Sequence, residues 1–130
     1  MQENQLFEYA IIRVVPRVER EEFLNVGVVL YCRDLQFLGM RYTVDEQRLL
    51  NFCKDIDLQE LKEHLLAYEN ICKGNSNGGP IAKLDLPSRF RWLTATRSTI
   101  VQSSQVHPGL CKDPEITLTN LHEKLVTVSS

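Results

Sequence analysis

The sequence predicts an α+β fold in which a mostly antiparallel sheet of about four strands carries three helices packed to one side or end. Three strand-like segments open the chain, and segments with helical periodicity follow them. The chain has 130 residues, of which 43% are hydrophobic and 25% are charged. This size and composition are typical of one globular domain, so we expect residues 1–130 to form a single folded unit.

The predicted strands are rich in Val, Ile, Tyr and Phe and form an antiparallel meander over residues 7–15, 23–32 and 36–43. The first two are apolar at nearly every position, which indicates that both faces of each strand are covered. Gly27 in the second strand marks a bulge or the close approach of another backbone. A fourth strand is predicted for residues 98–103.

Helical periodicity is clearest over residues 58–72, where apolar residues recur at steps of three and four. Asp57 is positioned to cap the start of this helix, and Gly74 to end it in the left-handed conformation. The turn-forming residues 74–80 that follow predict a loop.

Two further helices complete the prediction. The first covers residues 45–52, with Thr43 and Glu46 at the spacing of a capping box. The second begins at Asp113 and Pro114, which are typical of a cap and a first helical residue.

A long acid-free segment, residues 86–112, is the predicted functional surface. The whole chain has a net charge of -2, so a segment without carboxylates forms a local positive surface unless acids from elsewhere cover it. Its expected partner is an anion, which arginine contacts well through its planar, two-pronged guanidinium. The candidate ligand-binding residues are Arg13, Arg89, Arg91, Arg97, Ser98, Thr99, Gln102 and His107.

Two interpretations of the segment's arginines stay open. They bind an external anion, or they pair with the acidic face of the helix over residues 58–72, while Phe90 and Leu93 pack inward. That acidic face consists of Glu60, Glu63 and Glu69.

Arg13 poses the same question, because a charge inside the apolar first strand is costly to bury without an anionic partner. The partner is a ligand or an internal acid, for which the candidates are Glu8, Glu22 and Asp85.

The chemistry available to an enzyme is sparse. His107 could move a proton near neutral pH, but its segment offers no carboxylate to orient it. The four cysteines form no CxxC pair and are expected to be buried thiols. His107 and Cys111 are only two of the four ligands that zinc needs, so no metal or cofactor is predicted.

Composition also bears on the partners and the setting. The pI of about 5.9 disfavours nucleic acid, whose binding requires several phosphate contacts. The sequence predicts neither a signal peptide nor a transmembrane helix, so the protein is expected to be cytoplasmic.

Two long blocks carry a family resemblance. FEYAIIRVVPRVEREEFLNVGVVLYCRDLQFLG at residues 7–39 and RFRWLTATRSTIVQSSQVHPGLCKDP at residues 89–114 resemble an uncharacterised bacterial family, Domain of Unknown Function 3037. The resemblance implies a small bacterial cytoplasmic protein. It also implies a protein partner, because genes of this family often lie beside genes for a kinase similar to toxin–antitoxin kinases. It brings no catalytic residues.

Two functional hypotheses follow. The first is a non-catalytic accessory or binding module whose arginine-rich polar surface contacts an anionic ligand or a partner protein. The second is a small hydrolase or transferase that acts on a phosphate-containing substrate, with His107 as its acid and base.

Overall fold

An antiparallel sheet of five strands lies at the centre of the structure, a computed structural model that describes residues 3–127. The strands are β1 (Gln5–Val14), β2 (Leu24–Cys32), β3 (Phe37–Tyr42), β4 (Val101–Ser103) and β5 (His107–Cys111). Their order is β3-β2-β1-β4, and β5 pairs with β1 beyond the end of β4. β4 and β5 therefore lie one after the other along the same edge of the sheet, with a break between them, and β3 forms the opposite edge. The predicted α+β class is confirmed.

Four α-helices surround the sheet, namely α1 (Glu46–Phe52), α2 (Leu58–Lys73), α3 (Leu86–Leu93) and α4 (Pro114–Leu125). An aspartate caps the start of each helix by accepting a hydrogen bond from an amide in the first turn. These caps are Asp45, Asp57, Asp85 and Asp113. The capping box predicted between Thr43 and Glu46 is wrong. Asp45 caps α1, while the Thr43 hydroxyl lies 2.8 Å from His122 Nε2.

Both faces of β2 are buried, as its continuous apolar sequence predicts, whereas β1 is only half-buried at Tyr9, Ile11 and Arg13. On one face, Ile12 and Val14 of β1 pack against α1, α2 and α3. On the other face, Phe7 of β1 and Leu30 of β2 pack against Leu118 of α4. We call these the α2 face and the α4 face. The helices thus cover both faces of the sheet.

Gly27 combines the two roles that its position predicts. The β1–β2 register shifts between Ile12 and Arg13, because Ile12 lies opposite Gly27 and Arg13 lies opposite Asn25. A Cβ on Gly27 would also come within 2.8 Å of the Arg41 carbonyl oxygen on β3. The bulge moves Val26 onto the α2 face, where it is buried.

Two elements were not predicted, and both lie inside the acid-free segment. α3 occupies its first eight residues, with Phe90 and Leu93 buried as expected. β5 occupies its end, where Pro108 sits on an edge strand, a position that tolerates a residue without an amide hydrogen. The predicted loop at residues 74–80 contains a single 3-10 turn, Ser76–Gly78, and leads into a second, Pro80–Lys83.

Candidate functional site

The eight candidate residues lie on two sides of the sheet. Arg89, Arg91 and Arg97 belong to α3 and the chain that follows it, on the α2 face. Arg13 alternates with the buried Ile12 and Val14 and therefore projects onto the α4 face. The four arginines do not converge on one site.

Arg89 stabilises the end of a helix. Its Nη1 donates to the carbonyl oxygens of Ile71 and Cys72, each at 3.1 Å, in the last turn of α2. The last four carbonyls of a helix lack partners within the helix, and they carry the negative end of its dipole. Arg89 therefore satisfies and neutralises the α2 C-terminus.

Arg97 is held by aromatic residues. Its guanidinium lies 4.0 Å from the centre of the Trp92 ring and 5.5 Å from that of Tyr68. It donates to the Tyr68 hydroxyl at 3.2 Å and to the Trp92 carbonyl oxygen. Burial raises the pKa of Tyr68 above its usual value, and the nearby Arg97 charge opposes that shift.

Arg91, Ser98 and Thr99 are exposed. Arg91 donates to the Ser88 hydroxyl at 3.2 Å, one turn back on α3. Thr99 donates to the Val101 carbonyl oxygen at 2.8 Å and so stabilises the turn before β4.

The contacts of Arg89 and Arg97 differ from the ion pairs with α2 that one interpretation of the acid-free segment predicts. Among residues 3–127, the acids of α2 pair along their own helix, Glu69 with Lys73 at 2.6 Å and Glu60 with His64 at 3.7 Å. Arg89 and Arg97 instead use neutral acceptors, namely carbonyl oxygens and aromatic rings. A segment without carboxylates thus keeps two of its arginines occupied without any ion pair.

Arg13 differs from the other arginines. Within residues 3–127 its side chain makes no hydrogen bond, whereas Arg89, Arg91 and Arg97 each donate at least one. Its guanidinium lies 4.0 Å from the centre of the Phe23 ring, and its Nε, like that of Arg89, is buried without a hydrogen-bond partner. None of the ion pairs within residues 3–127 includes Arg13. Among the three acids considered as its partners, Glu22 pairs with Arg20 and Asp85 caps α3. The third, Glu8, forms no ion pair with Arg13 within residues 3–127.

Asn25, directly opposite Arg13, is a site residue that the sequence prediction missed. Its Nδ2 donates to the Leu125 carbonyl oxygen at 3.2 Å, while its Oδ1 is buried without a partner. Asn25 is the only strongly polar residue in the otherwise apolar β2 sequence, and that contrast could have identified it. An unsatisfied donor and an unsatisfied acceptor therefore lie on neighbouring strands.

Gln102 and His107 share the α4 face with Arg13. Gln102 lies opposite Arg13, and His107 lies opposite Tyr9 with the two rings 5.4 Å apart. α4 packs mainly on β2 and β3, so the side chains of Arg13, Gln102 and His107, which lie on the other strands, stay half-buried. We call Tyr9, Arg13, Gln102 and His107 the Arg13 strip. Tyr9 and Arg13 are four residues apart on β1, so the two ends of the strip lie about 13 Å apart. His107 and Arg13 could therefore contact the same small anion only from opposite sides of it.

A protein-family model matches residues 9–126, and its description is "Protein of unknown function (DUF3037)". The chain belongs to this family. No curated protein and no solved structure gives a match. The family description names no activity or ligand.

In the part of the DUF3037 chain that the structure describes, His107 has no hydrogen-bonded nucleophile or base. No hydrogen bond within residues 3–127 involves the His107 side chain, and Cys111 lies four residues further along β5 with its thiol buried. Burial raises the pKa of Cys111 above its usual value, which disfavours the thiolate. The described residues also contain no group of three or more potential metal ligands. None of their helices is both long and apolar enough to cross a membrane.

Three cavities lie elsewhere, and none of the eight candidate residues lines them. One of about 220 Å³ lies between the β1–β2 connection and the end of α1, beside Arg17 and Cys53. A second, of about 230 Å³, lies beside Asn25 and Arg48 at the end of α4. The third, of about 240 Å³, lies along β3 between α2 and α4.

Proposed function

We propose that the protein is a non-catalytic binding module that contacts an anionic group of a ligand or partner protein through the Arg13 strip. The observation that carries the proposal is the half-buried Arg13 guanidinium, which has no carboxylate partner within residues 3–127 and an unsatisfied Nε. A charge at such a position is costly unless an anion compensates it.

The neighbours of Arg13 suit this role. Phe23 supports one side of the guanidinium through a cation–π contact. Gln102, opposite Arg13, adds an uncharged amide beside the charge. A planar guanidinium next to neutral donors is well matched to a carboxylate or a phosphate group.

The family resemblance adds a partner and a setting to the proposal. A kinase similar to toxin–antitoxin kinases, encoded by a neighbouring gene in a bacterium, is the protein partner to test first, and the cytoplasm is the compartment in which the two would meet. The anionic group would then belong to that kinase or to a phosphate that it carries.

A titration with inorganic phosphate tests the anion site. In NMR spectra that resolve the arginine Nε–H signals, we expect the Arg13 signal to shift saturably in the wild-type protein. Arg13→Gln should abolish phosphate-induced shifts in the neighbouring strands, whereas Arg91→Gln, at an exposed arginine outside the strip, should preserve them. In pull-downs with the purified neighbouring kinase, the wild type and Arg91→Gln should bind, whereas Arg13→Gln should not. Equal binding by Arg13→Gln and the wild type would overturn the proposal.

A further inference from the structure

The two edges of the sheet differ in how well they are protected. The β4–β5 edge is interrupted at residues 104–106 and carries Pro108, both of which discourage pairing with another strand. The β3 edge is a regular strand of six residues, FLGMRY, without proline or a bulge. Only Arg41 of this strand is exposed; its other side chains are half-buried. An unprotected apolar edge is the kind of strand to which another strand adds.

The pairing of β3 with β2 determines which backbone groups of β3 are free. Thr43 N donates to the Val26 carbonyl oxygen at 2.8 Å and continues the β2–β3 ladder. Because hydrogen-bonded pairs alternate along antiparallel strands, the odd-numbered residues of β3 bond to β2. The amides and carbonyls of Leu38, Met40 and Tyr42 therefore point away from the sheet.

The third cavity encloses this edge. Successive residues of a strand point to opposite faces, yet Leu38, Gly39 and Met40 all line the same cavity of about 240 Å³. Its walls come from both faces as well, with Cys72 of α2 on one side and Leu118 of α4 on the other. The cavity is therefore a groove with the β3 edge as its floor and a helix on each side.

The charges along the groove balance one another. Glu69 and Lys73 pair at 2.6 Å on the α2 wall, and Glu115 and Arg41 pair at 3.5 Å on the α4 side. Burial and the hydrogen bond to Glu69 raise the pKa of Tyr42 to about 12, so this hydroxyl also stays neutral. A neutral groove with an apolar lining is complementary to an uncharged, apolar occupant.

The shape of the groove favours a slender occupant over a second copy of the chain. The edge offers six residues, whereas a stable dimer interface uses roughly 20–30 residues on each side. Two such edges would also bring two pairs of helical walls against each other. A single extended segment needs only the free backbone groups and the space between the helices.

We propose that the β3 edge binds an extended, apolar peptide segment of a partner protein by strand addition. The segment hydrogen-bonds to the outward backbone groups of Leu38, Met40 and Tyr42, and its alternating side chains enter the groove towards α2 and α4. This site is separate from the Arg13 strip and does not depend on it.

The test uses the full chain and a blocked peptide of alternating threonine and valine, with a lysine at each end for solubility. In amide NMR spectra we expect saturable shifts centred on Leu38, Met40 and Tyr42. Met40→Pro removes an outward amide without removing a bond to β2 and should weaken binding at least about tenfold. Met40→Val keeps that amide and also replaces the methionine side chain, so the comparison isolates the amide, and Met40→Pro should bind at least about tenfold more weakly than Met40→Val.

A peptide methylated at every amide nitrogen provides a second test. This test uses only the wild-type protein, so it remains informative even where Met40→Pro fails to fold. It should not bind, because it cannot donate to β3. Binding of the methylated peptide, no binding of either peptide, or shifts centred on β4 and β5 would each overturn the proposal. Concentration-dependent dimerisation that Met40→Pro abolishes would overturn it too, because it would assign the edge to a second copy. Arg13→Gln should leave peptide binding unchanged, which separates this result from the phosphate experiment.

Discussion

Arg89 is the arginine whose contribution to stability is most directly tied to its contacts. Arg89→Ala leaves the carbonyls of Ile71 and Cys72 without their donor, and hydrogen bonds from a charged group contribute about 1.5–3 kcal/mol. We expect the free energy of unfolding to fall by about 2 kcal/mol, measured by urea denaturation. Arg91→Ala is the matched control on the same helix, and its effect should stay within about 0.5 kcal/mol. Equal losses in the two variants would show that the contact with the α2 end is not what Arg89 contributes.

Ser104 has a structural role that follows from the interrupted edge. It is only 4% exposed and lies in the break between β4 and β5. There its hydroxyl accepts a hydrogen bond from Ile11 N at 2.8 Å. It also donates to the Gln105 carbonyl oxygen at 2.9 Å. Ser104→Ala leaves a buried amide unsatisfied and should cost about 1–3 kcal/mol in chemical denaturation. Ser98→Ala, at an exposed serine, should have no measurable effect, and a neutral Ser104→Ala would contradict this role.

At the scale of single residues, burial is easier to predict from the sequence than the partner of a charged side chain. The inward packing of Phe90 and Leu93 follows from their apolar side chains, and both are buried. The partners of Arg89 and Arg97 could not be predicted in the same way. A helix-end carbonyl and an aromatic ring become available only when α2 packs against α3, and neither has a signature in the local sequence.

At the scale of elements, the strands and α2 were predictable because each has its own periodicity and its own end signals. Asp57 N-caps α2, and Gly74 ends it with a φ of 72°, as predicted. α3 was missed although Asp85 and Pro87 carry the same kind of start signal, because eight residues are too few to establish a clear apolar periodicity. β5 was missed because Pro108 and Gly109 are unfavourable in a strand and are tolerated here by the edge position.

The junction of α2 and α3 should behave as one energetic unit. A Cβ at Gly74 would come within 2.7 Å of Arg89 Nη1, and its φ of 72° strains any residue with a side chain. Gly74→Ala should therefore destabilise the protein and also displace the arginine from the carbonyls that it caps. In a double-mutant cycle, the combined loss from Gly74→Ala and Arg89→Ala should be smaller than the sum by about 0.5–2 kcal/mol. Additive losses in urea denaturation would show that the two positions act independently.

On the scale of the whole molecule, helices on both faces leave two kinds of exposed sheet surface. α4 covers β2 and β3 and leaves parts of β1, β4 and β5 half-buried on its face, which is where the Arg13 strip lies. The same helix and α2 flank the β3 edge. The sequence predicted the covered strands, but it could not predict these openings, because they depend on where α4 crosses the sheet. The proposed anion site and the proposed peptide site therefore both follow from the position of one helix.

The stability of the whole molecule should decline in alkaline solution. Burial raises the pKa of Cys72 from its ordinary value of 9.0 to about 12, and the nearby Arg89 charge opposes the shift. Burial and the hydrogen bond to Glu69 raise the pKa of Tyr42 from 10.0 to about 12. Both groups hold their protons longer in the folded state than in the unfolded chain. Their contribution is therefore fully present below pH 9 and is lost as the pH rises towards 12.

Urea denaturation at a series of pH values from 8 to 12 measures this loss as a falling free energy of unfolding. Tyr42→Phe separates one contribution from the other, because phenylalanine cannot ionise in either state. The variant should be less stable than the wild type at neutral pH, since Glu69 loses a hydrogen bond, yet its stability should decline less steeply above pH 10. An unchanged slope in Tyr42→Phe would exclude the tyrosine as a source of the alkaline loss. A flat profile in the wild type would mean that neither group titrates differently in the folded and unfolded states.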